Sequence, residues 1–309
     1  MDERTRARCI GAVVGLAVGD ALGTTLEFKR PGSFTPIDDM VGGGPFSLEP
    51  GFWTDDTSMA LCLAESLAEC AGFNATDQMQ RYLRWYCDGY WSSTGSCFDI
   101  GNTTREALVS FARTGDPVSG STSALKAGNG SLMRLAPVPV YFRNDAARAI
   151  AFAAESSRTT HGAQTAVDAC RYFAGLIIGA LEGLPKQQIL ADRFHPVRGQ
   201  WSRGELHPEI DEVAAGSFLH REPPQIRGTG FVVQSLEAAL WAFARGDDFR
   251  TGALLAVNLG DDADTTGAIY GQLAGAHYGV DGIPALWLAT LAKRDQVELL
   301  ASRLIIEEE

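Results

Sequence analysis

Glycine recurs every four residues in two apolar, alanine-rich segments of this chain, and a shorter third series repeats the pattern. The series are Gly11, Gly15, Gly19 and Gly23; Gly267, Gly271, Gly275 and Gly279; and Gly175, Gly179 and Gly183. An interior glycine costs a helix about 0.8–1 kcal/mol relative to alanine, so each stripe needs close backbone approach as compensation. The stripes therefore predict helices packed tightly in a core. The membrane form of such a motif is excluded because the apolar runs are short and interrupted.

Helical periodicity extends over most of the remaining chain, and alternating patterns typical of strands are scarce. The periodic stretches are residues 58–70, 77–88, 104–112, 145–156, 163–182, 232–244 and 283–304. We therefore predict an all-α fold, a compact orthogonal helical bundle, and a single domain over residues 1–309 because no change in composition marks a boundary. Loops at 31–51, 116–130 and 194–230 are rich in Gly, Pro or Ser, and we expect binding chemistry there.

The charge balance limits the partners. The chain has 309 residues, 38 Asp and Glu against 26 Lys and Arg, and a net charge of −12. This excess of negative charge argues against a nucleic-acid partner or an anionic membrane surface. The six cysteines include no CxxC pair, which favours reduced thiols in a cytoplasmic protein. No stretch approaches the ~20 apolar residues of a membrane span, so we expect no membrane insertion.

Two acidic clusters interrupt apolar sequence. One is TDDT at 54–57, and the other is NLGDDADTTG at 258–267. Carboxylates about 4 Å apart repel by roughly 4 kcal/mol at an effective dielectric near 20, so such clusters need solvent, protons or a cation. Each cluster alone is also explained as a helix N-cap. Two clusters that open two helices are better explained by one shared site.

Oxygen ligands without nearby Cys or His favour Mg²⁺, Mn²⁺ or Ca²⁺ over Zn²⁺. An EF-hand beginning at Asp262 fails because its twelfth position is Leu273 instead of Glu. A site assembled from distant segments remains. Five carboxylates exceed what one hydrated Mg²⁺ usually takes, which favours two ions.

The chain contains GDALGTTLE at 19–27, TDDT at 54–57, GNGSLMR at 128–134 and DADTTG at 262–267. Together these motifs resemble the ADP-ribosylglycohydrolase family. CFDIGNTTR at 97–105 resembles the branch typified by dinitrogenase reductase-activating glycohydrolase, which removes ADP-ribose from arginine. The resemblance covers most of the chain in the expected order. It implies an all-helical single domain with a binuclear Mg²⁺ or Mn²⁺ centre.

The resemblance also implies site residues. The metal ligands would be Thr54, Asp55, Asp56, Asp262, Asp264 and Thr265. Glu27 would be a catalytic or metal-gating carboxylate beside the ions, and Asp261 a cap or supporting group outside the pattern. Asp99 could pair with a leaving guanidinium in a bidentate fork, or it could cap the helix that follows it.

Substrate-binding residues are predicted from the loops. Backbone amides of Gly128, Asn129, Gly130 and Ser131 could hold a diphosphate, although the same residues could form a simple turn. His161 could donate to phosphate or stack on adenine, or be structural. Phe231 could stack against the ligand or belong to the core.

The expected function is a metal-dependent hydrolase that releases ADP-ribose from modified arginine on proteins. Hydrolysis of the N-glycosidic bond passes through an oxocarbenium-like state that needs an oriented sugar and a positioned water. Its partners would be an ADP-ribosylated protein and ADP-ribose. One alternative is an immunity protein that neutralises an ADP-ribosylating toxin by binding as well as by hydrolysis. Another is a hydrolase of serine-linked or other ADP-ribose derivatives.

Overall fold

Helices dominate residues 1–305, the part of the chain that the computed structural model describes. In chain order the α-helices are Glu3–Gly23 (α1), Asp55–Glu69 (α2), Ala75–Asp88 (α3), Asn102–Thr114 (α4), Pro137–Tyr141 (α5), Ala146–Arg158 (α6), Gln164–Leu181 (α7), Lys186–Ile189 (α8), Pro208–Ala214 (α9), Val232–Arg245 (α10), Phe249–Val257 (α11), Ala263–Tyr278 (α12), Ala285–Thr290 (α13) and Arg294–Arg303 (α14). Within this range, 3₁₀ turns lie at Ala124–Lys126, Ser217–Leu219 and Val280–Gly282, and Phe194–His195 (β1) pairs antiparallel with Gly199–Gln200 (β2). The predicted all-α fold class is confirmed.

Helices α1 and α12 form the centre of the molecule, and their glycine stripes face each other. A Cβ atom added at Gly11, Gly15 or Gly19 would overlap the carbonyl oxygen of Gly275, Gly271 or Gly267, respectively. The two helices are antiparallel, because the residue numbers increase along the stripe of α1 while those of the facing glycines of α12 decrease. Both helices are buried over most of their length, which is why neither shows a polar face. The prediction of close backbone approach is confirmed for these two stripes.

The third stripe packs differently. Gly175 and Gly179 lie on α7, where added Cβ atoms would come 3.2 Å from Pro196 Cδ and 2.8 Å from Phe194 Cζ. These glycines therefore make room for side chains of the β1–β2 hairpin and not for another helix backbone. Gly183 lies beyond the end of α7 with φ +78°, a left-handed conformation that favours glycine. The prediction of helix-to-helix packing is wrong for this stripe.

Two segments depart from the sequence-based outline. The predicted helix at 283–304 is two helices, α13 and α14, separated where Lys293 adopts φ +48°. The segment 194–230, predicted as a loop, contains the hairpin and α9. Within residues 1–305, none of the helices combines the length and apolar character needed to cross a bilayer. The six cysteines are free thiols, as expected.

We predict that Gly19→Ala lowers the free energy of unfolding by about 3 kcal/mol, because overpacking of a close-packed core costs typically 1–3 kcal/mol and here the obstacle is backbone. Alanine's better helix propensity, about 1 kcal/mol, offsets only part of this loss. Denaturant unfolding measures the difference. Gly101→Ala is the steric control, since its added Cβ would meet its nearest atom at 4.0 Å, and as the N-cap of α4 it should lose only about 1 kcal/mol. Equal stability of the two variants would contradict the close packing of α1 on α12.

Candidate functional site

The ends of three helices meet at one point beside the α1–α12 contact. A Cβ on Gly23, the last residue of α1, would overlap the backbone of Asp264 in the first turn of α12. The chain then turns after α1, so that Glu27 is buried next to Asp264. Helix α2 begins at the same place with Asp55 and Asp56. The two acidic clusters that the sequence separates by about 200 positions are therefore brought together.

Asp20 holds the start of α2 in position. Its Oδ1 accepts hydrogen bonds from the backbone N–H and the Oγ1 of Thr54, at 3.0 and 2.9 Å. Its Oδ2 accepts from the backbone N–H and the Oγ1 of Thr57, at 3.0 and 2.6 Å. Asp20 is a residue that the sequence analysis did not assign. Its signal was a single charge within an otherwise apolar helix, GLAVGDALG.

Helix capping does not explain the acidic clusters. Thr54 and Asp262 occupy the N-cap positions of α2 and α12, but neither side chain makes the capping hydrogen bond. The alternative for Asp99 also fails, since Gly101 is the N-cap of α4 and Asp99 has φ +52°. The carboxylates therefore point into the site instead of satisfying helix ends.

Several carboxylate oxygens in the site have no hydrogen-bond partner within residues 1–305. They are Glu27 Oε2, Asp56 Oδ1 and Asp264 Oδ1. Thr54 Oγ1 lies 3.3 Å from Asp56 Oδ2 and 3.2 Å from Asp264 Oδ2, and Thr265 Oγ1 lies 3.4 Å from Asp56 Oδ2. Oxygens of Glu27, Asp99 and Asp264 lie within 4.8 Å of one another. A dense set of buried oxygens with free lone pairs fits hard divalent cations.

Burial and mutual repulsion raise the pKa values of these carboxyls. Burial and then the charges of Asp99 and Asp262 raise the pKa of Glu27 to about 10. Burial, and then the charges of Asp262 and Asp20, raise the pKa of Asp99 to about 7. The pKa values of Asp55, Asp56 and Asp264 are raised well above the usual range, again chiefly by burial. Without a cation, ionising these buried and mutually repelling carboxyls costs free energy, and only protonation lowers that cost.

The segment 128–134 forms one wall of the site and is attached to α12. Asn129 Nδ2 donates to Asp262 Oδ2 at 2.7 Å, and the Asn129 backbone N–H donates to Gly230 O at 3.2 Å. Gln272, two turns along α12 from Asp264, donates to the carbonyls of Leu132 and Met133 at 3.1 and 2.8 Å. A single helix therefore positions both the acidic residues and this wall.

His161 stands behind the same wall and is neutral. Burial, and then the charge of Arg134, lower the pKa of His161 to about 3. Arg134 donates to Gly130 O and, at 2.7 Å, to Thr160 Oγ1. Thr160 Oγ1 also lies 2.8 Å from His161 Nδ1, and in the tautomer in which the hydroxyl donates to Nδ1 the ring proton is on Nε2. Arg134 is a second residue that the sequence analysis did not assign, although it ends GNGSLMR.

A cavity of about 780 Å³ opens over these groups. Its lining includes most of the predicted residues: Glu27, Asp55, Asp99, Gly128, Asn129, Gly130, His161, Asp262, Asp264 and Thr265. Thr54 and Asp56 lie below its floor with 1% and 0% of their surface exposed. Ser131 accepts a hydrogen bond from Ser157 Oγ at 2.8 Å in the core, and Phe231 packs against the core, so neither lines the cavity.

Arg227 joins the cavity from the segment 194–230, where the sequence offered no motif. Its Nη2 lies 3.1 Å from Asp261 Oδ2. The Asp261 backbone donates to Lys29 O at 2.7 Å and accepts from the Phe28 N–H at 2.6 Å, which ties the turn after Glu27 to the start of α12. Of the two alternatives for Asp261, the cap is wrong, since the N-cap of α12 is Asp262. On its other side Arg227 borders a mostly apolar cavity of about 740 Å³.

A family model for ADP-ribosylglycohydrolase matches residues 1–309. The chain belongs to the ADP-ribosylglycohydrolase family. This membership confirms the resemblance stated from the motifs and identifies the chain as a glycohydrolase enzyme.

Individual relatives extend the comparison. ADP-ribosylarginine hydrolase Tri1 of Serratia proteamaculans is 41% identical over 294 residues, covering 95% of this chain and 78% of the relative. ADP-ribosyl-[dinitrogen reductase] glycohydrolase of Rhodospirillum rubrum is 31% identical, covering 94% and 92%. A chain in a solved ADP-ribosylglycohydrolase-related protein complex is 48% identical and superposes with a TM-score of 0.87, covering 98% of this chain and 99% of that one.

The raised pKa values predict how the stability of the metal-free protein depends on pH. The carboxyls bind protons more tightly in the folded than in the unfolded chain, so stability falls as the pH rises through the folded values of about 6 for Asp20 and 7 for Asp99. In chelator, the melting temperature should be lower at pH 8 than at pH 5. Added Mg²⁺ or Mn²⁺ should raise it more at pH 8.

Asp264→Asn is the matched control, because it removes one of the repelling charges and keeps the side-chain size. We expect its melting temperature in chelator to fall less between pH 5 and pH 8, and Mg²⁺ to stabilise it less. An unchanged pH slope and an unchanged response to Mg²⁺ would contradict a cation site at these residues.

Proposed function

We propose that this enzyme hydrolyses the N-glycosidic bond between ADP-ribose and the guanidinium of a modified protein arginine. One observation carries the proposal: the oxygens of Glu27, Asp99 and Asp264 converge within 4.8 Å beneath a cavity large enough for a nucleotide-sized ligand. The names of the relatives from Serratia proteamaculans and Pseudomonas putida, both ADP-ribosylarginine hydrolases, support arginine as the linkage.

The acidic floor would hold the cofactor. Thr54, Asp55, Asp56, Asp262, Asp264 and Thr265 are the proposed ligands. Two Mg²⁺ or Mn²⁺ ions there would neutralise these carboxylates, return Glu27 to its ionised form and orient the ribose hydroxyls. The unpartnered oxygens of Asp56 and Asp264 support this assignment, since buried carboxylate oxygens rarely lack a partner.

Glu27 is the proposed general base. Its Oε2 has no partner within residues 1–305, and the side chain lines the cavity floor. An ionised Glu27 can accept a proton from a water that attacks ribose C1″, where positive charge develops in an oxocarbenium-like state. The proton then resides on the Glu27 carboxyl.

Asp99 is proposed to bind the leaving group. Its carboxylate is half-exposed in the cavity wall, and a guanidinium matches a carboxylate in two parallel hydrogen bonds. A pKa of about 7 means that an incoming positive charge would favour the ionised form of Asp99. The electron pair of the C1″–N bond would stay on the guanidine nitrogen, which would take up the proton that Glu27 accepted from water, so the arginine would leave as a guanidinium paired with Asp99.

The wall formed by residues 128–134 is proposed to bind the diphosphate. Gly128 and Gly130 have no side chain between their backbones and the His161 ring, whose Nε2 would be a donor in the tautomer with Nδ1 unprotonated. A neutral donor and backbone amides suit an anion in an acidic protein, and Arg227 adds a positive charge at the cavity edge. Ser131 and Phe231 remain predicted ligand contacts, but their positions outside the cavity lining do not support them.

A purely blocking role against an ADP-ribosylating toxin would not require the buried carboxylates. Retaining several of them against mutual repulsion is costly unless the site uses them. In this proposal, an immunity protein of this kind would therefore act by hydrolysing the ADP-ribose bond and not by blocking the toxin. Asp56→Ala and Asp264→Ala proteins would still protect cells if blocking were sufficient.

The linkage is tested with two peptides, one ADP-ribosylated on arginine and one on serine. We expect release of ADP-ribose from the arginine peptide with Mg²⁺ or Mn²⁺, and no release in chelator. Mass spectrometry of the peptides measures both reactions. Release from the serine peptide alone would replace the arginine proposal with the serine alternative, and no release from either would contradict both.

Glu27→Gln tests the base. The substitution keeps the size of the side chain but removes its basicity, so kcat should fall by about 10²–10⁴. Binding of ADP-ribose, measured by calorimetry with Mg²⁺, should change little. Full activity of this variant would contradict the assigned role, and loss of ADP-ribose binding would indicate a positioning role instead.

A further inference from the structure

Three aromatic side chains lie in a row beside the cavity: Phe28 is exposed and lines the cavity, and Phe46 and Phe98 are partly buried. We call Phe28, Phe46 and Phe98 the aromatic rim. The rings of Phe28 and Phe46 lie 6.5 Å apart edge to face, and those of Phe46 and Phe98 lie 5.2 Å apart. The Phe28 side chain has 66% of its surface exposed. A single exposed phenylalanine needs no explanation, but an exposed ring that lines the cavity and continues into two partly exposed rings indicates an interaction surface.

Left-handed backbone conformations lie at or next to two of the rings. Phe28 adopts φ +60°, a left-handed conformation that is strained for a bulky residue, and its N–H donates to Asp261 O at 2.6 Å. A turn that required only this backbone would be formed more easily by glycine. Asp99, next to Phe98, has φ +52°. Strain of this kind persists where the side chain has a use.

Phe46 is presented by a closed turn. Gly43 and Leu48 exchange two backbone hydrogen bonds of 2.7 and 2.9 Å across the turn. The turn is anchored to the chain after α1, since Thr25 Oγ1 donates to Gly42 O at 2.8 Å. The rim is therefore built from three segments, and those that carry Phe28 and Phe46 are fixed by backbone hydrogen bonds.

The rim follows the catalytic groups directly. Phe28 is adjacent to Glu27, and Phe98 is adjacent to Asp99, the proposed partner of the leaving guanidinium. The arginine that departs remains part of a polypeptide. Its aliphatic stem and neighbouring residues must then lie outside Asp99, at the mouth of the cavity.

We propose that the aromatic rim is the docking surface for the polypeptide around the modified arginine. Its rings would contact apolar side chains that flank that arginine in the polypeptide, since aromatic faces bind such groups well. The rim would distinguish a modified protein from free ADP-ribosyl-arginine. This inference rests on the proposed arginine-linked activity.

The test compares two substrates of the same bond. One is a purified carrier protein modified on arginine by an arginine-specific transferase, and the other is free ADP-ribosyl-arginine. Phe46→Ala, and Phe28→Ala with Phe46→Ala, should raise KM for the modified protein about tenfold, with kcat little changed. Values of kcat/KM for ADP-ribosyl-arginine should stay within about twofold of wild type.

Leu299→Ala is the matched control, because Leu299 on α14 has 65% of its surface exposed and lies outside the rim. This substitution should leave kcat and KM unchanged for both substrates. In the Glu27→Gln background, the rim variants should bind the modified protein more weakly and ADP-ribose equally well. These binding measurements do not depend on turnover.

The outcomes separate the two proposals. Equal losses on both substrates would overturn the docking role and show that the rim supports the geometry of the active site. No loss on either substrate would overturn it as well. A wild-type enzyme that hydrolyses neither substrate would contradict the arginine-linked function itself, and the docking role with it.

Discussion

The contact between the backbones of α1 and α12 is the constraint on which the rest of the structure depends. Glycine at every fourth position lets these helices approach until a single added Cβ would overlap a facing carbonyl. The last glycine of α1 meets Asp264, so the same contact positions the acidic site. Gly19 and Asp20 are neighbours on α1, and Asp20 in turn holds the start of α2. Helix α1 therefore makes the central packing contact and also positions the acidic site.

The site keeps charges that destabilise the metal-free fold. Buried carboxylates with unpartnered oxygens and raised pKa values are costly, and such cost is typical where function requires a preorganised arrangement. The walls over this floor are loops, yet buried polar side chains make them rigid. Gln272 and Arg134 attach residues 130–134 to α12 and to the segment before His161. A ligand would enter a cavity that is already formed.

Much of the helical outline could be predicted from local sequence. Six of the seven periodic stretches correspond to one helix each, because hydrophobic periodicity is a property of neighbouring residues. The seventh stretch, at 283–304, contains a break at Lys293, and no glycine or proline at that position indicates the break in the sequence. Local sequence also did not identify the segment that packs against each glycine stripe. Gly175 and Gly179 repeat the spacing of α1 but face a hairpin, since spacing identifies a face and not what covers it.

For the site, the sequence by itself determined the chemical class: TDDT, DADTTG and Glu27 supply hard oxygen ligands and belong to recognisable motifs. The tertiary structure decided which groups meet. It placed Asp20 and Arg227 among the acidic residues and left Ser131 outside the cavity, although no motif separated these cases. The sequence specifies the type of each residue. The direction and burial of its side chain depend on contacts between segments hundreds of residues apart, and these contacts form only when the chain folds.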